Sequence, residues 1–329
     1  MRPPKKPKPR QRPDCKPQKG RVQTKQTRKA AAPAGKSSQG ERRREPADGR
    51  QSASQQSAPA RQRRKPAFRR FAGGGDRGGG GDHAGGLHLF GIHAVAAALG
   101  NPRRIISRLR LSEGAAHKLA SALEARNLRP EHVEPKDLDQ LLGADQVHQG
   151  ALLITQPLPE PGLPALAETS ANGGGPVIIL DQVTDPHNVG AILRSAAVFG
   201  AAGIVMTRRH SPPLAGTLAK SASGALELVP VTLVTNLSRA MRELKDLGLQ
   251  CIGLDGSAGV ALEARPFDGP SALVLGAEGA GLRRLTRETC DSLCCISGGG
   301  PLRSLNVSNA AAVALHLAAM RRCACGPTC

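Results

Sequence analysis

The sequence predicts an α/β protein in which a compact α/β unit precedes an open parallel sheet with helices on both faces. From residue 176 onward, apolar runs of strand length alternate with helical patterns, as in parallel sheets built from βαβ units. The first of these runs, residues 176–181, is apolar until it ends in Asp181, which is typical of a buried parallel strand. Ligands bind such sheets at the carboxyl ends of the strands, so the loops after the strands are the candidate sites.

Composition and pattern divide the chain into five segments. The tail, rich in Lys, Arg, Pro, Gln, Ser and Gly, has little apolar surface to bury and is predicted to be disordered. The segment rich in Pro, Gly, Ala and Ser between the two folded units is predicted to be a linker. The predicted segments are a basic tail (1–86), a compact α/β unit (87–157), a linker (158–175), the parallel-sheet domain (176–322) and a cysteine-containing C-terminal tail (323–329).

The smaller unit is predicted from short helical and strand patterns. A helix opens within residues 89–95 and stops at Gly100-Asn101-Pro102. Alternation of apolar and polar residues predicts a strand over 105–111, and Leu119 and Leu123, four residues apart, predict the next helix. The elements expected after the first helix are a strand (105–111), a helix (115–127), a strand (132–134), a helix (135–142) and a strand (149–156).

The larger domain is predicted to alternate strands and helices up to a long C-terminal helix. Residues 310–320 have almost no polar face, so this last helix is expected to be buried. A tight loop at 185–190 is expected before the first helix, which ends at Phe199. The predicted strands are 176–181, 203–207, 228–233, 250–254, 272–276 and the apolar run 293–296, and the other helices are 214–223 and 237–247.

Positive charge is concentrated at the N-terminus. Residues 1–86 hold 24 of the 46 Lys and Arg residues and 6 of the 26 Asp and Glu residues, and so carry +18 of the net charge of +20. Such a segment binds polyanions through counterion release, and nucleic acid is the polyanion we expect. A solvated tail that only keeps the protein soluble is the alternative.

Scarce residue types argue against several functions. The chain has no Trp, no Tyr and five Phe residues, which argues against a protein that recognises single strands by stacking bases on aromatic rings. It also has neither a signal-peptide core nor an unbroken apolar stretch of transmembrane length. A cytoplasmic protein without a membrane partner is therefore predicted.

The eight cysteines do not form a secreted disulfide pattern. Four of them are expected in or beside the core, as small apolar residues in a reducing compartment: Cys251, Cys290, Cys294 and Cys295. The spacing of Cys323, Cys325 and Cys329 matches no zinc pattern well, so no metal is expected and a metal site there is the less favoured alternative.

Three loops rich in glycine and polar residues follow predicted strands. The first contains Asn188 and leads to Arg194, the second is Gly276-Ala277-Glu278-Gly279-Ala280-Gly281, and the third runs from Gly298 to Asn306. Glycines let the main chain approach a ligand closely. Ser304 or Asn306 can cap the last helix, whose first N–H groups then point into a pocket. For any one of these loops, an ordinary strand–loop–helix connection is the alternative.

Together the loops offer an anion clamp, one carboxylate, hydroxyls and amides. A cation near a helix N-terminus is not favoured by the helix dipole, so an acid or an external anion is expected to hold Arg194, with a plain surface arginine as the alternative. Glu278 suits a ligand amine or hydroxyl, or Arg194 itself. The sequence has no candidate Ser-His-Asp set, no HExxH and no Walker A pattern, and the missing GxGxxG after the first strand argues against NAD.

These motifs resemble those of the SpoU/TrmH RNA ribose 2′-O-methyltransferases, a family within the SPOUT superfamily. The resemblance covers residues 175–322 and lies in Asn188-x-Gly190-x-x-x-Arg194, the loop 276–281, and Ser304-Leu305-Asn306-Val307-Ser308-x-Ala310, in the family's order. Residues 90–95 with 148–150 resemble the L30e-like substrate-binding domain of these enzymes. The pattern Asp181-x-Val183-x-Asp185-Pro186-x-Asn188, with residues 282–286, resembles the members that methylate a guanosine of 23S rRNA.

The resemblance implies a C-terminal trefoil knot, S-adenosylmethionine (SAM) bound in that knot, an RNA substrate, and a homodimer with the active site near its interface. Arg194 corresponds to the family's catalytic arginine, and Asn188, Glu278, Ser304 and Asn306 should orient it and the ribose. The residues implied to bind SAM are Gly276, Glu278, Ile296, Leu305 and Asn306. Residues 298–303 are more glycine-rich than the family's usual approach to this motif, which leaves the rigidity of that loop open.

Three alternatives share these features. Two are enzymes with the same motifs, a tRNA ribose methyltransferase and a ribosome-protecting resistance methyltransferase. The third is a non-catalytic RNA-binding or assembly factor that keeps an inactive methyltransferase fold. Intact Asn188, Arg194, Glu278 and Asn306 argue against the third, whereas the two enzymes are separated only by comparing substrates.

Overall fold

The computed structural model describes residues 86–265, 267, 269–300 and 304–325. Over these ranges the chain forms a four-stranded sheet followed by a six-stranded parallel sheet. The predicted α/β class, with a parallel sheet after a smaller α/β unit, is therefore confirmed. The basic tail up to residue 85, the loop residues 301–303 and residues 326–329 lie outside the described ranges. The knot stays a prediction.

The smaller domain comprises β1 (Leu87–Phe90), α1 (Ile92–Gly100), β2 (Ile106–Leu111), α2 (Glu113–Lys118), α3 (Ala120–Arg126), β3 (Glu131–His132), α4 (Pro135–Leu142) and β4 (Ala151–Thr155). The strand order is β1-β4-β2-β3. Strand β4 is antiparallel to both β1 and β2, and β3 is parallel to β2. The predicted strand at β2 and helix at α4 are confirmed.

Two parts of this domain differ from the sequence prediction. Residues 87–90 form a strand, because Leu89 and Phe90 are buried by pairing with β4, and the chain turns at Gly91 (φ 93°) before α1 begins. The single helix predicted over 115–127 is divided into α2 and α3 at Leu119. The backbone of Leu119 (φ −103°, ψ 6°) departs from helical geometry while its side chain is buried.

The larger domain comprises α5 (Leu163–Ala171), β5 (Val177–Asp181), α6 (Pro186–Phe199), β6 (Gly203–Thr207), α7 (Gly216–Ala222), β7 (Val231–Val234), α8 (Leu237–Asp246), β8 (Gln250–Leu254), β9 (Ser271–Gly276), α9 (Arg284–Thr289), β10 (Ser292–Cys294) and α10 (Val307–Cys325), with 3₁₀ turns at Ala225–Glu227 and Leu262–Ala264. The strand order is β10-β8-β9-β5-β6-β7, and every pairing is parallel.

Strand residues alternate between two apolar cores, as expected for a sheet covered on both faces. Ile178 of β5 belongs to the core beneath α6, α7 and α10, and Ile179 to the core beneath α5 and α8. The first core also contains Val95 and Leu153 of the smaller domain. The two domains therefore share one continuous hydrophobic core on that face of the sheet.

Three segments of the larger domain differ from the prediction. The segment predicted as a linker contains α5, whose Leu166 is buried against the sheet; its Pro164 lies in the first turn, where proline does not break a helix. The predicted tight loop at 185–190 is mostly the start of α6, since Asp185 Oδ1 accepts a hydrogen bond from His187 N (3.0 Å) and Pro186 fits the first turn. The strand predicted from residue 228 begins at Val231, after a 3₁₀ turn.

The last helix is only partly as predicted. Ala311, Ala314 and Leu315 are buried, but Val313 and Met320 are 36% and 57% exposed, so an apolar stripe of α10 faces outward. The helix also continues to Cys325, three residues beyond the predicted end of the domain. Helix α9 was not predicted.

The four internal cysteines lie in or beside the core as predicted. Cys251 and Cys294 are buried, Cys290 and Cys295 are partly buried, and all four are free thiols. Burial raises the pKa of Cys251 and of Cys290 to about 12. These two thiols are therefore protonated at neutral pH and poor nucleophiles.

Candidate active site

The carboxyl ends of the central strands form one edge with a deep cavity. Asp181 at the end of β5 lies beside Gly276 at the end of β9, and β10 leads through residues 295–306 into α10. The loops after β8, β9 and β10 line a cavity of about 840 Å³. This volume is within the range of small-molecule and cofactor sites. The sheet edge predicted from the strand pattern is therefore where the structure has its cavity.

Five of the predicted site residues line this cavity: Gly276, Glu278, Ile296, Ser304 and Leu305. Ile296 is partly buried, whereas Ser304 and Leu305 are exposed. Asn306 is the next residue along and reaches the cavity's edge through its bond to Glu278. The second and third loops predicted from the sequence thus meet at one place.

The turn after β9 requires glycine. A Cβ on Gly276 would lie 2.2 Å from the carbonyl carbon of Gly281 and 2.4 Å from Leu282 N, distances that no side chain tolerates. Gly279 and Gly281 have φ values of 77° and 66°, in the left-handed region that glycine occupies without strain. The glycines therefore fold the main chain back on itself and place Glu278 at the cavity's mouth.

Asn188, Glu278 and Asn306 form a hydrogen-bonded triangle. Asn188 Nδ2 donates to Glu278 Oε1 (3.2 Å), and Asn306 Nδ2 donates to Asn188 Oδ1 (3.0 Å) and also to Glu278 Oε1. Each residue comes from a different loop or helix end, separated by 28 to 118 positions in sequence. Two amide donors therefore fix the position of the Glu278 carboxylate.

Asn306 also caps α10. Its Oδ1 accepts hydrogen bonds from Ser308 N (2.9 Å) and Ser308 Oγ (2.5 Å), so of the two predicted caps it is Asn306 that serves. The side chain of Asn306 therefore joins the helix start to the triangle. The free N–H groups of the first turn give this corner a positive potential.

Arg194 lies apart from the triangle. It follows Asn188 by six residues of α6, which is about 9 Å along the axis and on a different face of the helix. The side chain is exposed, and no hydrogen bond or ion pair links it to another residue in the part of the chain that the structure describes. The pairing of Arg194 with Glu278, one of the alternatives considered from the sequence, is therefore not formed among the described residues of one copy.

Arg194 instead lines a second cavity, of about 540 Å³, between the two domains. Asn101 and Pro102 of the smaller domain form one wall, and Val198 and Leu228 form part of the other. Val198 and Leu228 are 75% and 73% exposed, so this cavity is open, and its walls combine these apolar side chains with polar ones that include Asn101, Glu227 and Arg194.

The sequence analysis missed a polar pair in the wall of the larger cavity. Asp255 accepts hydrogen bonds from Ser257 N (2.8 Å) and Ser257 Oγ (2.6 Å) and pairs with Arg287. Partial burial acts to raise the pKa of Asp255, but the Ser257 hydrogen bonds and the charge of Arg287 outweigh it and lower that pKa. Asp255 directly follows β8, so the strand-end rule that identified the other loops would have found it.

A second missed contact holds the glycine-rich approach to α10. Glu263 accepts hydrogen bonds from Ser297 N (3.1 Å) and Ser297 Oγ (3.0 Å). Burial acts to raise the pKa of Glu263, and the hydrogen bonds that its carboxylate accepts lower it overall. This carboxylate therefore restrains one end of the loop whose rigidity the sequence left open.

No group of three or more His, Cys, Asp or Glu side chains within the described ranges is arranged to hold a metal ion. No helix in those ranges is long and apolar enough to cross a membrane.

Comparison with known proteins identifies both domains. Residues 175–316 match the SpoU rRNA Methylase family, and residues 88–161 match the family described as RNA 2′-O ribose methyltransferase substrate binding. The relatives include 23S rRNA (guanosine-2′-O-)-methyltransferases RlmB from Photobacterium profundum and Ralstonia nicotianae, each 40% identical. Each alignment covers 71% of this chain. It covers 97% of the Photobacterium protein and 95% of the Ralstonia protein.

Solved structures share the fold. The SpoU methyltransferase AviRb from Streptomyces viridochromogenes has a TM-score of 0.61 at 24% identity, covering 73% of this chain and 91% of that one. An AdoMet-bound rRNA methyltransferase from Sinorhizobium meliloti has a TM-score of 0.58 at 22% identity, covering 70% and 86%. With the matching motifs, the cavity at the strand ends and relatives of 40% identity, the chain belongs to the SpoU rRNA methylase family.

Proposed function

We propose that this protein transfers a methyl group from SAM to the 2′-hydroxyl of a guanosine ribose in 23S rRNA. The observation that carries the proposal is the Asn188–Glu278–Asn306 triangle at the mouth of the strand-end cavity. Its residues belong to three separate motifs, and an inactive fold would have no need to keep all three in contact. The target is the one named for the relatives with 40% identity, nearly the whole length of which aligns with this chain.

The larger cavity fits SAM. Its volume of about 840 Å³ suits a cofactor, and the glycines of residues 276–281 and 298–300 expose main-chain groups to a ligand. Ile296 and Leu305 supply apolar surface for an adenine or a methionine chain. We propose that Gly276, Ile296 and Leu305 line the bound cofactor, and that Glu278 and Asn306 border it.

SAM supplies a sulfonium methyl that is already electrophilic. The protein must therefore align a ribose hydroxyl with that methyl and stabilise the oxygen as its proton leaves. Asn188, Glu278, Ser304 and Asn306 are placed to orient the ribose. A guanidinium is a poor general base, so the role of Arg194 is electrostatic: it stabilises the forming alkoxide, and a neighbouring RNA phosphate accepts the proton.

Arg194 reaches the triangle most simply from a second copy of the chain. It points away from the triangle of its own copy, whereas α10 begins at the triangle and carries the exposed apolar stripe of Val313 and Met320. A homodimer that buries this stripe brings a second copy next to the active site. We therefore propose a homodimer with composite active sites, and the cytoplasm, where ribosomes assemble, as its location.

The test is transfer of labelled methyl from SAM to undermethylated 23S rRNA, with purified tRNA alongside, followed by mapping of the ribose-methylated position. Label on a 23S guanosine ribose, lost on Arg194→Ala, is the expected result. Label on tRNA alone would keep the chemistry and overturn the target. Label on neither RNA, with SAM still bound, would refute the assignment of free 23S rRNA as substrate and direct the search to ribosomal particles.

A further inference from the structure

The two domains meet at a pair of charges that is almost fully buried. The side chains of Arg104 in the smaller domain and Glu227 in the larger domain are 2% and 4% exposed, and Arg104 Nη2 lies 2.6 Å from Glu227 Oε1. Arg104 Nε donates to both carboxylate oxygens (3.2 and 3.1 Å). Asn101 Nδ2 donates to Glu227 Oε2 at 2.8 Å. We call Asn101, Arg104 and Glu227 the clasp.

The clasp is anchored on both sides. Arg104 Nη1 donates to the carbonyl of Gln156 (2.9 Å), which directly follows β4, where the chain leaves the smaller domain. Arg126 donates to the carbonyls of Leu99 (2.8 Å) and Asn101, and so holds the turn that carries the clasp. The donors of Arg104 are thus used within one rigid network.

Close main-chain packing accompanies these bonds. Gly224, with φ of 95°, lies against α1, and a Cβ there would sit 2.6 Å from the Cβ of Ala97. Any other residue would be strained by its backbone and would push the domains apart. Together with the shared core, this contact holds the smaller domain against the larger one.

The clasp also forms part of the cavity that contains Arg194. Asn101 and Glu227 line this cavity with Arg194, while Pro102 and Leu228 extend its two walls. The cavity therefore exists only while the two domains are docked. A carboxylate in its wall would repel an RNA phosphate unless a cation neutralised it, and Arg104 is that cation.

We propose that Asn101, Arg104 and Glu227 are positioning residues for the RNA, which lock the substrate-binding domain to the methylase domain and keep a preformed site for one nucleotide beside Arg194. The inference rests on the proposed function, because it takes RNA as the ligand of both domains. The apolar parts of the walls accommodate a base, and the guanidinium of Arg194, which has no partner within the described ranges, accommodates its phosphate or ribose oxygen. The clasp acts through domain placement and does not touch the reacting atoms.

The test uses the full-length protein and three variants: Arg104→Met, Glu227→Gln, and the two combined. Arg104→Met leaves the Glu227 carboxylate in the cavity wall without its cationic partner. We therefore expect the KM for RNA to rise about tenfold or more. Glu227→Gln keeps an acceptor for Asn101 and should raise this KM by about threefold. The combined variant should bind RNA better than Arg104→Met alone, because it removes the uncompensated charge.

Two further readouts separate positioning from general stability. The kcat at saturating RNA and the Kd for SAM should stay within about twofold of wild type, because the clasp is outside the cofactor cavity. Amide hydrogen exchange should accelerate at residues 97–104 and 224–229 in Arg104→Met, but not around residues 276–281. The matched control is Glu288→Gln, which breaks the exposed Arg284–Glu288 pair (2.9 Å) and should change none of these values.

The proposal is overturned if exchange at the domain boundary accelerates while the KM and the Kd for RNA stay at wild-type values. It is also overturned if the combined variant binds RNA as poorly as Arg104→Met. If Arg104→Met does not fold, Glu227→Gln and the combined variant are each compared with wild type, and an unchanged KM for RNA in both overturns the proposal. Wild-type protein that transfers no methyl group to any RNA would refute the proposed function, whereas equilibrium RNA binding and hydrogen exchange would still test the clasp.

Discussion

The two faces of α6 present opposite kinds of site residue. Asn188 lies at the edge of the strand-end cavity, where its side chain hydrogen-bonds with Glu278, which lines that cavity, and with Asn306, at 3.2 and 3.0 Å. Arg194, less than two turns further along, faces the cavity between the domains, with no partner among the described residues. One side of the helix therefore carries a hydrogen-bonded amide, and the other carries a charge that no described residue neutralises.

This difference between the two faces indicates separate roles for Asn188 and Arg194, which belong to the same sequence motif. Each member of the triangle is hydrogen-bonded to the other two, so its polar groups are preorganised, as required to orient a cofactor and a ribose. A guanidinium with no internal partner is suited to an external anion. If the two faces have separate roles, changes that affect one of them should leave the function of the other largely unaltered.

The largest effect is expected from Arg194→Ala. Removing the guanidinium should lower the single-turnover methylation rate about 10²–10³-fold, as when one oxyanion donor is lost, while the Kd for SAM stays within about twofold. Arg194→Lys keeps the charge but loses the planar fork, and should also be severely impaired. Near-normal turnover by the lysine variant would contradict the role assigned to Arg194.

Asn306→Ala should affect the side of α6 that carries Asn188, because Asn306 hydrogen-bonds with that residue. It removes the α10 cap and the bond to Glu278, so we expect a loss of about 1 kcal/mol in unfolding free energy. The Kd for SAM should rise about tenfold, as when a hydrogen bond to a charged group is lost. Calorimetry measures both, and Ser308→Ala, which removes only one donor to Asn306, is the matched control. An unchanged Kd for SAM would show that the triangle does not organise the cofactor cavity.

Gly190→Ala tests how α6 is held against α7. A Cβ at this position would lie 2.5 Å from Ser221 Cβ and 2.9 Å from Ala222 N. We expect overpacking to cost about 1–3 kcal/mol of unfolding free energy, measured by urea denaturation. Because Ala222 lines the Arg194 cavity, the KM for RNA should rise more than the Kd for SAM.

The control for this substitution is Gly114→Ala, in α2, where an added Cβ has open space and should be neutral or slightly stabilising. An unaltered unfolding free energy in Gly190→Ala would mean that α7 moves aside without cost.

Deleting residues 1–86 should have the smallest effect on the site itself. The segment carries +18 of the net charge, so its loss should weaken RNA binding and reduce the slope of log Kd against log salt. Both faces of α6 stay intact, so the Kd for SAM and the kcat at saturating RNA should stay within about twofold. Binding titrations at several salt concentrations measure the slope; a slope equal to that of the full-length protein would refute the RNA-binding role.

Much of the fold follows from local pattern. The strands at 203–207 and 250–254 were predicted with their observed bounds, because mainly apolar runs of strand length flanked by turn residues leave few alternatives. The missed elements depended on packing. Strand β1 exists because it pairs with β4, and α5 exists because Leu166 is buried under the sheet, although its sequence is as rich in Pro and Ala as a linker.

The sequence was sufficient to predict the parallel α/β class, the loops that build the cavity and the residue types at its mouth. These features follow from periodicity, glycine placement and motif order, which are local properties of the chain. Tertiary structure alone decided which side chains meet. Asn188 and Asn306 are 118 positions apart yet 3.0 Å from each other, while Arg194, six residues from Asn188, faces another cavity. Contacts of this kind depend on the rotation of each helix and on the docking of the two domains, and these are set by burial of the shared core.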